Sequence, residues 1–141
     1  PVAHKTIEAV IAKARKLFPE LPLFVSGKSF GGRMTSQYIA DGEETDIKGI
    51  VFFGFPLHAP GTPSVDRAEH LKKIKVPMLF LQGSRDEFAD FELIKKVSAA
   101  MKKAKLVRIE GANHSYKAGR LNTMEILVKE TKSWMVRLLK K

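Results

Sequence analysis

Apolar positions along the chain switch between two periods, and the switches mark the elements. Ile7, Val10, Ile11, Ala14, Leu17 and Phe18 fall at helical spacing, which predicts an amphipathic helix over residues 3–18, stopped by Pro19. The short apolar run that follows predicts a strand over 22–26. A helix then runs from Arg33 to about Ala40, ended by Asp41-Gly42, and after an acidic loop the run Gly49–Phe53 makes a second strand. A Pro/Gly-rich loop, Phe55–Pro63, comes next. A short helix, Asp66–Lys73, precedes a strand over 76–81, and a helix, Phe91–Lys102, precedes a strand over 105–109. The last helix has the clearest pattern: Met124, Leu127, Val128, Thr131, Trp134, Met135 and Leu138 give it one apolar face to lay on a sheet.

Strands that are unbroken apolar runs, joined by helices, imply a parallel sheet covered on both faces. The expected class is α/β, a three-layer αβα sandwich around a parallel sheet of about four strands. With 141 residues and 44% hydrophobic content, the whole chain, 1–141, reads as one domain able to bury its own core. Met and Phe on these elements are expected in that core rather than against a cofactor.

The chemistry begins at Gly27-Lys28-Ser29-Phe30-Gly31, which sits between strand and helix. A serine on such a turn is held at positive φ, and small residues two before and two after it let strand and helix approach; here these are Gly27 and Gly31. A serine hydroxyl is a poor nucleophile until a base takes its proton, so the turn predicts a carboxylate and a histidine further along, in that order. Asp86 follows the strand 76–81 across Gly83, and His114 follows the strand 105–109. Loops leaving parallel strands gather at the carboxyl edge of the sheet, so the three can converge. Ser29 would attack an acyl carbon, His114 would carry its proton, and Asp86 would hold the imidazole tautomer. Gly27-Lys28-Ser29 also matches the end of a phosphate-binding loop. That motif requires glycine where Pro22 stands, and Leu23-Phe24-Val25 is apolar strand rather than polar loop, so the nucleotide reading is rejected.

Composition narrows the remaining options. Cysteine is absent, which excludes disulfides and thiolate chemistry, and the four histidines, His4, His58, His70 and His114, show no short ligand spacing, so no metal is expected. The net charge of +10 invites a nucleic-acid reading. The basic pairs Lys72-Lys73, Lys95-Lys96, Lys102-Lys103 and Lys140-Lys141 are scattered over separate elements, however, and read as solvated faces. No apolar run approaches the ~20 residues of a membrane span and no basic-then-apolar leader opens the chain, so a cytoplasmic location is the expectation.

The segments Ser26–Arg33, Gly54-Phe55-Pro56-Leu57-His58, Pro77–Gly83 with Arg85-Asp86, and Glu110–Ser115 together resemble the C-terminal portion of an α/β-hydrolase. The likeness is nearest to the dienelactone-hydrolase-like group, which includes testis-expressed and chromatin-complex members and bacterial relatives. It implies a truncated α/β-hydrolase fold with Ser29, Asp86 and His114 as nucleophile, acid and base and no cofactor. It further implies that the backbone N–H of Phe30 serves the oxyanion, while a second donor would come from a loop after an earlier strand that this chain lacks. Without the strands that precede it in the family, strand 22–26 is expected to present an open edge and to seek a second copy or a partner chain. A start at Pro1 fits either a fragment or removal of an initiator methionine. The expected activity is hydrolysis of a small ester, thioester or lactone; the alternative is an interaction module without turnover. Lys28, His58 and Arg85 are candidate pocket residues, each balanced against a solvated or incidental role.

Overall fold

The computed structural model describes residues 2–42 and 46–140, so the acidic loop expected after Gly42 falls mainly outside them, at 43–45. Among the described residues four strands form one sheet in the order β1-β2-β3-β4: β1 (Leu23–Lys28), β2 (Ile47–Phe53), β3 (Met78–Gly83) and β4 (Ala104–Ile109). Every neighbouring pair is parallel. Helices α1 (Val2–Leu17), α2 (Phe30–Asp41), α3 (Phe91–Ala99) and α4 (Thr123–Leu139) alternate with the strands, and a 3-10 helix, Asp66–Lys73, connects β2 to β3.

The sheet is the middle of three layers because its strands carry apolar side chains on both faces. On one face Phe52 and Phe80 meet Ile11 of α1, Ile39 of α2, Leu71 of the 3-10 helix and Ile94 of α3. On the other, Val51, Leu79 and Leu81 meet Leu127 and Trp134 of α4. The Phe52 and Phe80 rings stack with centroids 4.6 Å apart, and Phe55 closes edge-on against Phe52 at 5.2 Å, the offset and edge arrangements that ring quadrupoles favour. All six residues of the central strand β3 are buried, whereas Leu23, Phe24 and Val25 of β1, at the sheet margin, are half-buried.

Several boundaries and faces differ from the sequence expectation. The residues of 66–73 form a 3-10 rather than an α-helix, α3 stops at Ala99, and β3 extends through Gly83. Val10, Leu17 and Phe18 of the first amphipathic stripe are 62%, 55% and 57% exposed, because α1 rests on α2 and offers the core only the Ile7–Ile11 side. The stripe of α4 is likewise split. Leu127 and Trp134 are buried, but Met124 and Val128 face outward, since α4 is the one described helix on its face and no neighbour covers its flank.

The close approach of strand and helix at Ser29 uses a different glycine from the one expected. A Cβ on Gly27 would stand 2.3 Å from the Gly32 nitrogen, and a Cβ on Gly32 would stand 2.7 Å from the Gly27 carbonyl oxygen, whereas Gly31 has nothing within 4 Å. Gly31 faces outward; it is Gly32 that the first turn of α2 lays against β1. Backbone cannot yield as a flexible side chain can, so Gly27→Ala is expected to destabilise the fold by about 3 kcal/mol. Gly31→Ala, inside a helix with open space around it, is expected to be neutral or to stabilise by up to about 1 kcal/mol. Urea unfolding of the two variants measures the contrast.

Candidate active site

Ser29 occupies the single-residue turn between β1 and α2 with φ 51° and ψ −122°, a conformation that costs a residue with a Cβ about 1–3 kcal/mol. Two backbone bonds hold it there. Its N–H donates to the Phe53 carbonyl at 3.0 Å, prolonging the β1–β2 ladder, and its carbonyl accepts the Arg33 N–H at 3.1 Å, starting α2. The side chain is thereby presented at the carboxyl edge of the sheet, beside the N-terminus of a helix whose first N–H groups lack intrahelical partners.

The loops after β3 and β4 arrive at the same edge as a crosslinked pair. A Cβ on Gly83 would lie 2.2 Å from the Ala112 carbonyl oxygen, so only glycine allows the two backbones to touch. Arg85 N–H donates to that oxygen at 2.9 Å and Gly111 N–H donates to the Ser84 hydroxyl at 2.7 Å. Within the second loop the Asn113 side-chain oxygen accepts the N–H groups of Ser115 and Lys117 at 2.9 and 3.0 Å, curling the chain so that His114 projects back across the sheet edge.

The three residues singled out from the sequence are brought into one hydrogen-bonded line. Ser29 Oγ lies 2.8 Å from His114 Nε2, and His114 Nδ1 lies 2.9 and 2.8 Å from the two Asp86 carboxylate oxygens. A carboxylate only accepts, so Nδ1 carries the proton and the Nε2 lone pair faces the serine hydroxyl. The Asp86 side chain is 1% exposed and that of His114 15%. Such an arrangement can take a proton from Ser29 and stabilise the imidazolium that results.

Several residues that complete the site were not singled out from the sequence. Phe88 N–H donates to Asp86 Oδ1 at 2.8 Å, and the Phe88 ring covers the His114 ring with centroids 4.4 Å apart. Gln82 donates to Asp86 Oδ2 at 2.8 Å. Gly54, at φ +73°, backs both partners: a Cβ there would lie 3.6 Å from Asp86 Oδ2 and from His114 Nδ1. Tyr116, also at positive φ, donates its hydroxyl to the Leu81 carbonyl at 2.6 Å and anchors the histidine loop. Burial, with the Asp86 charge adding to it, pushes the Tyr116 pKa well above the usual range. One signal was available in the sequence: Gln82 is a polar residue in the otherwise apolar run Met78–Leu81, and a buried amide requires partners.

The remaining candidates sit as follows. Phe30 is the first residue of α2 and its ring is largely exposed beside Ser29. Lys28 donates to the His114 carbonyl oxygen at 3.0 Å, with its ammonium 5.4 Å from the centroid of the Tyr116 ring, so it ties the serine turn to the histidine loop. His58 is buried, and both ring nitrogens are committed to backbone groups: Nδ1–H donates to the Ala59 carbonyl and Nε2 accepts the Asp90 N–H, each at 2.8 Å. It braces the aspartate loop rather than offering a nitrogen to a pocket. Arg85 is exposed. Among the described residues no group of His, Asp and Glu is arranged to hold a metal ion, and no helix is long and apolar enough to cross a membrane.

An α/β sheet with a strained serine at the first strand-to-helix turn, and an aspartate and a histidine on later loops of the same edge, defines the hydrolase class of this architecture. A family model described as an alpha/beta hydrolase domain matches residues 1–135, and the chain belongs to that family. Among solved structures, Est1E from Butyrivibrio proteoclasticus is 22% identical with a TM-score of 0.75, over 98% of this chain and 70% of its own. An alpha-beta serine hydrolase homologue from Coxiella burnetii is 22% identical with a TM-score of 0.69, over 88% of this chain and 56% of its own. A Paleococcus ferrophilus monoacylglycerol lipase is 16% identical with a TM-score of 0.71, over 96% of this chain and 76% of its own. At these identities the likeness is one of fold, and the chain spans between 56% and 76% of the length of these three structures.

The backbone at Ser29 makes a prediction that is independent of activity. Ser29→Gly and Ser29→Ala both remove the hydroxyl, but only glycine relaxes at φ 51°. Ser29→Gly is expected to be more stable than Ser29→Ala by about 1 kcal/mol in chemical denaturation; equal stabilities would show that the turn stores no strain.

Proposed function

We propose that the chain is a serine hydrolase acting on a small carboxylic ester, thioester or lactone through an acyl-enzyme. The observation that carries this reading is the hydrogen-bonded line from Ser29 Oγ through the His114 ring to Asp86. Ser29 Oγ attacks the acyl carbon as its proton passes to His114 Nε2, and the Phe30 N–H, at the start of α2, donates to the oxyanion. The imidazolium then returns the proton to the departing alkoxide or thiolate, and the bond from carbon to the leaving group breaks. A water, deprotonated by the same nitrogen, attacks the acyl-serine; the bond from carbon to Oγ breaks as the imidazolium gives that proton to Ser29 Oγ, and the acid product ionises to a carboxylate in solvent. Asp86 keeps the imidazole in the tautomer that both halves require. No cofactor enters this route. The lactone is included because Ser26–Arg33 and Glu110–Ser115 resemble the dienelactone-hydrolase-like group, in which we place the chain.

A second reading is an interaction module without turnover; among the described residues the oxyanion is assigned the Phe30 N–H, and one such donor is worth about 10²–10³ in rate. Fluorophosphonate labelling separates the two. The native chain is expected to be labelled, and Ser29→Ala and His114→Ala are expected to lose labelling by about 10²-fold or more; no difference between native and Ser29→Ala leaves the inert module.

The margin position of β1 supports a partner proposal. β1 pairs with β2 on one side, and its end adjoins an apolar groove of about 710 Å³ bounded by Lys28, Phe53 and the outward flank of α4, including Met124 and Val128. We assign this edge to a second copy of the chain. Light scattering is expected to show a dimer that grows with concentration, with slowed amide exchange in Leu23–Lys28 as it forms. A monomer at all concentrations, with those amides exchanging freely, would count against it.

A further inference from the structure

We propose that Gln82 is a positioning residue: its carboxamide locks the Asp86 carboxylate onto the backbone of the loop that follows β2. The inference rests on the hydrolase reading, and it concerns a side chain that touches neither the serine nor the histidine. Gln82 is completely buried at the penultimate position of β3. Its Oε1 accepts the Phe55 N–H at 3.0 Å, and its Nε2 donates to the Phe55 carbonyl at 3.4 Å and to Asp86 Oδ2 at 2.8 Å.

These partners leave the amide one orientation. Turning it over would set its oxygen against the Asp86 carboxylate and the Phe55 carbonyl and its NH₂ against the Phe55 N–H, three repulsive contacts in place of three bonds. Both amide hydrogens are committed, so Asp86 Oδ2 always meets a donor. Phe88 N–H supplies the corresponding donor to Oδ1. With His114 Nδ1 bridging both oxygens, a carboxylate that is almost wholly removed from water keeps its charge satisfied and its plane fixed. Phe55 is itself immobile, being 1% exposed and packed on Phe52 and Phe80. Gln82 therefore transmits the rigidity of the aromatic core to the group that orients the histidine, and the orientation of the histidine sets how well its Nε2 meets Ser29.

The test compares native protein, Gln82→Leu and Gln82→Glu by fluorophosphonate labelling rate against pH. Thermal unfolding and the downfield imidazole N–H proton resonance of His114 are measured alongside. Gln82→Leu, if folded, is expected to label about tenfold or more slowly, part of the ~10²–10⁴ that a positioned base contributes. Gln82→Glu is the same shape. While protonated, the introduced carboxyl still accepts from Phe55 and donates to Asp86; once ionised, it faces Asp86 with like charge. Its labelling is expected to approach native at neutral pH and to fall again on the alkaline side, where the native profile stays flat. A purely structural role would lower the unfolding temperature without adding that alkaline limb. The proposal is overturned if folded Gln82→Leu labels within twofold of native, or if Gln82→Glu follows the native profile throughout. Should Gln82→Leu fail to fold, the Gln82→Glu profile decides. Should native protein label no better than Ser29→Ala, the hydrolase reading fails and the resonance decides Gln82 alone: a native downfield signal that shifts or vanishes in Gln82→Glu upholds the positioning role, and an unchanged one ends it.

Discussion

Burying a carboxylate is costly unless donors surround it, and Asp86 imposes that requirement on the whole carboxyl edge of this sheet. Its two oxygens are met by Gln82 from β3, by Phe88 from its own loop and by His114 from the loop after β4. Each of those donors is fixed in turn by something else. Gln82 is bound to Phe55, Phe88 to His58 through its carbonyl, and the histidine loop to Lys28, Tyr116 and the Asn113 turn. The carboxylate is thus where the exits of all four strands are joined.

The glycines at this edge follow from the same requirement. Loops can crowd around one small charged group only if their backbones come closer than side chains normally permit. Gly83 lets the aspartate loop touch Ala112, Gly54 leaves room behind both Asp86 and His114, and Gly27 with Gly32 lets α2 begin directly against β1. Rigid neighbours also explain how Ser29 stays at φ 51°: a ladder bond on one side and the first bond of α2 on the other keep the turn from relaxing.

His58 illustrates how position and role separate. Its place in a Pro/Gly-rich loop near the sheet edge fits a pocket residue as well as a bystander. In the fold it is neither, since Nδ1 is held by Ala59 of its own loop and Nε2 accepts the Asp90 N–H of the loop on which Asp86 and Phe88 are carried. A histidine with one nitrogen donating and the other accepting is a neutral connector between two loops, and one chain read linearly does not show which loops meet.

The α/β class, the four strands and the helices between them were legible because local apolar periodicity reports which faces must be buried, and chain order placed Ser29, Asp86 and His114 each just after a strand, the first, third and fourth of the sheet. What stayed hidden depends on neighbours distant in sequence. Periodicity assigned Val10, Phe18, Met124 and Val128 to buried faces, but burial requires an opposing surface, and none of the described elements covers them. The pattern of small residues pointed to Gly31, whereas the packing of α2 on β1 selected Gly32, since the rotation of a helix about its axis is set only when it docks. Gln82 was visible as a polar residue in an apolar run, but its partners, Phe55 and Asp86, lie on two other segments. The sequence determines which residues are able to carry charge, turn or pack; the tertiary structure decides which of them touch, because hydrogen bonds and van der Waals contacts act over a few ångströms of space and not along the chain.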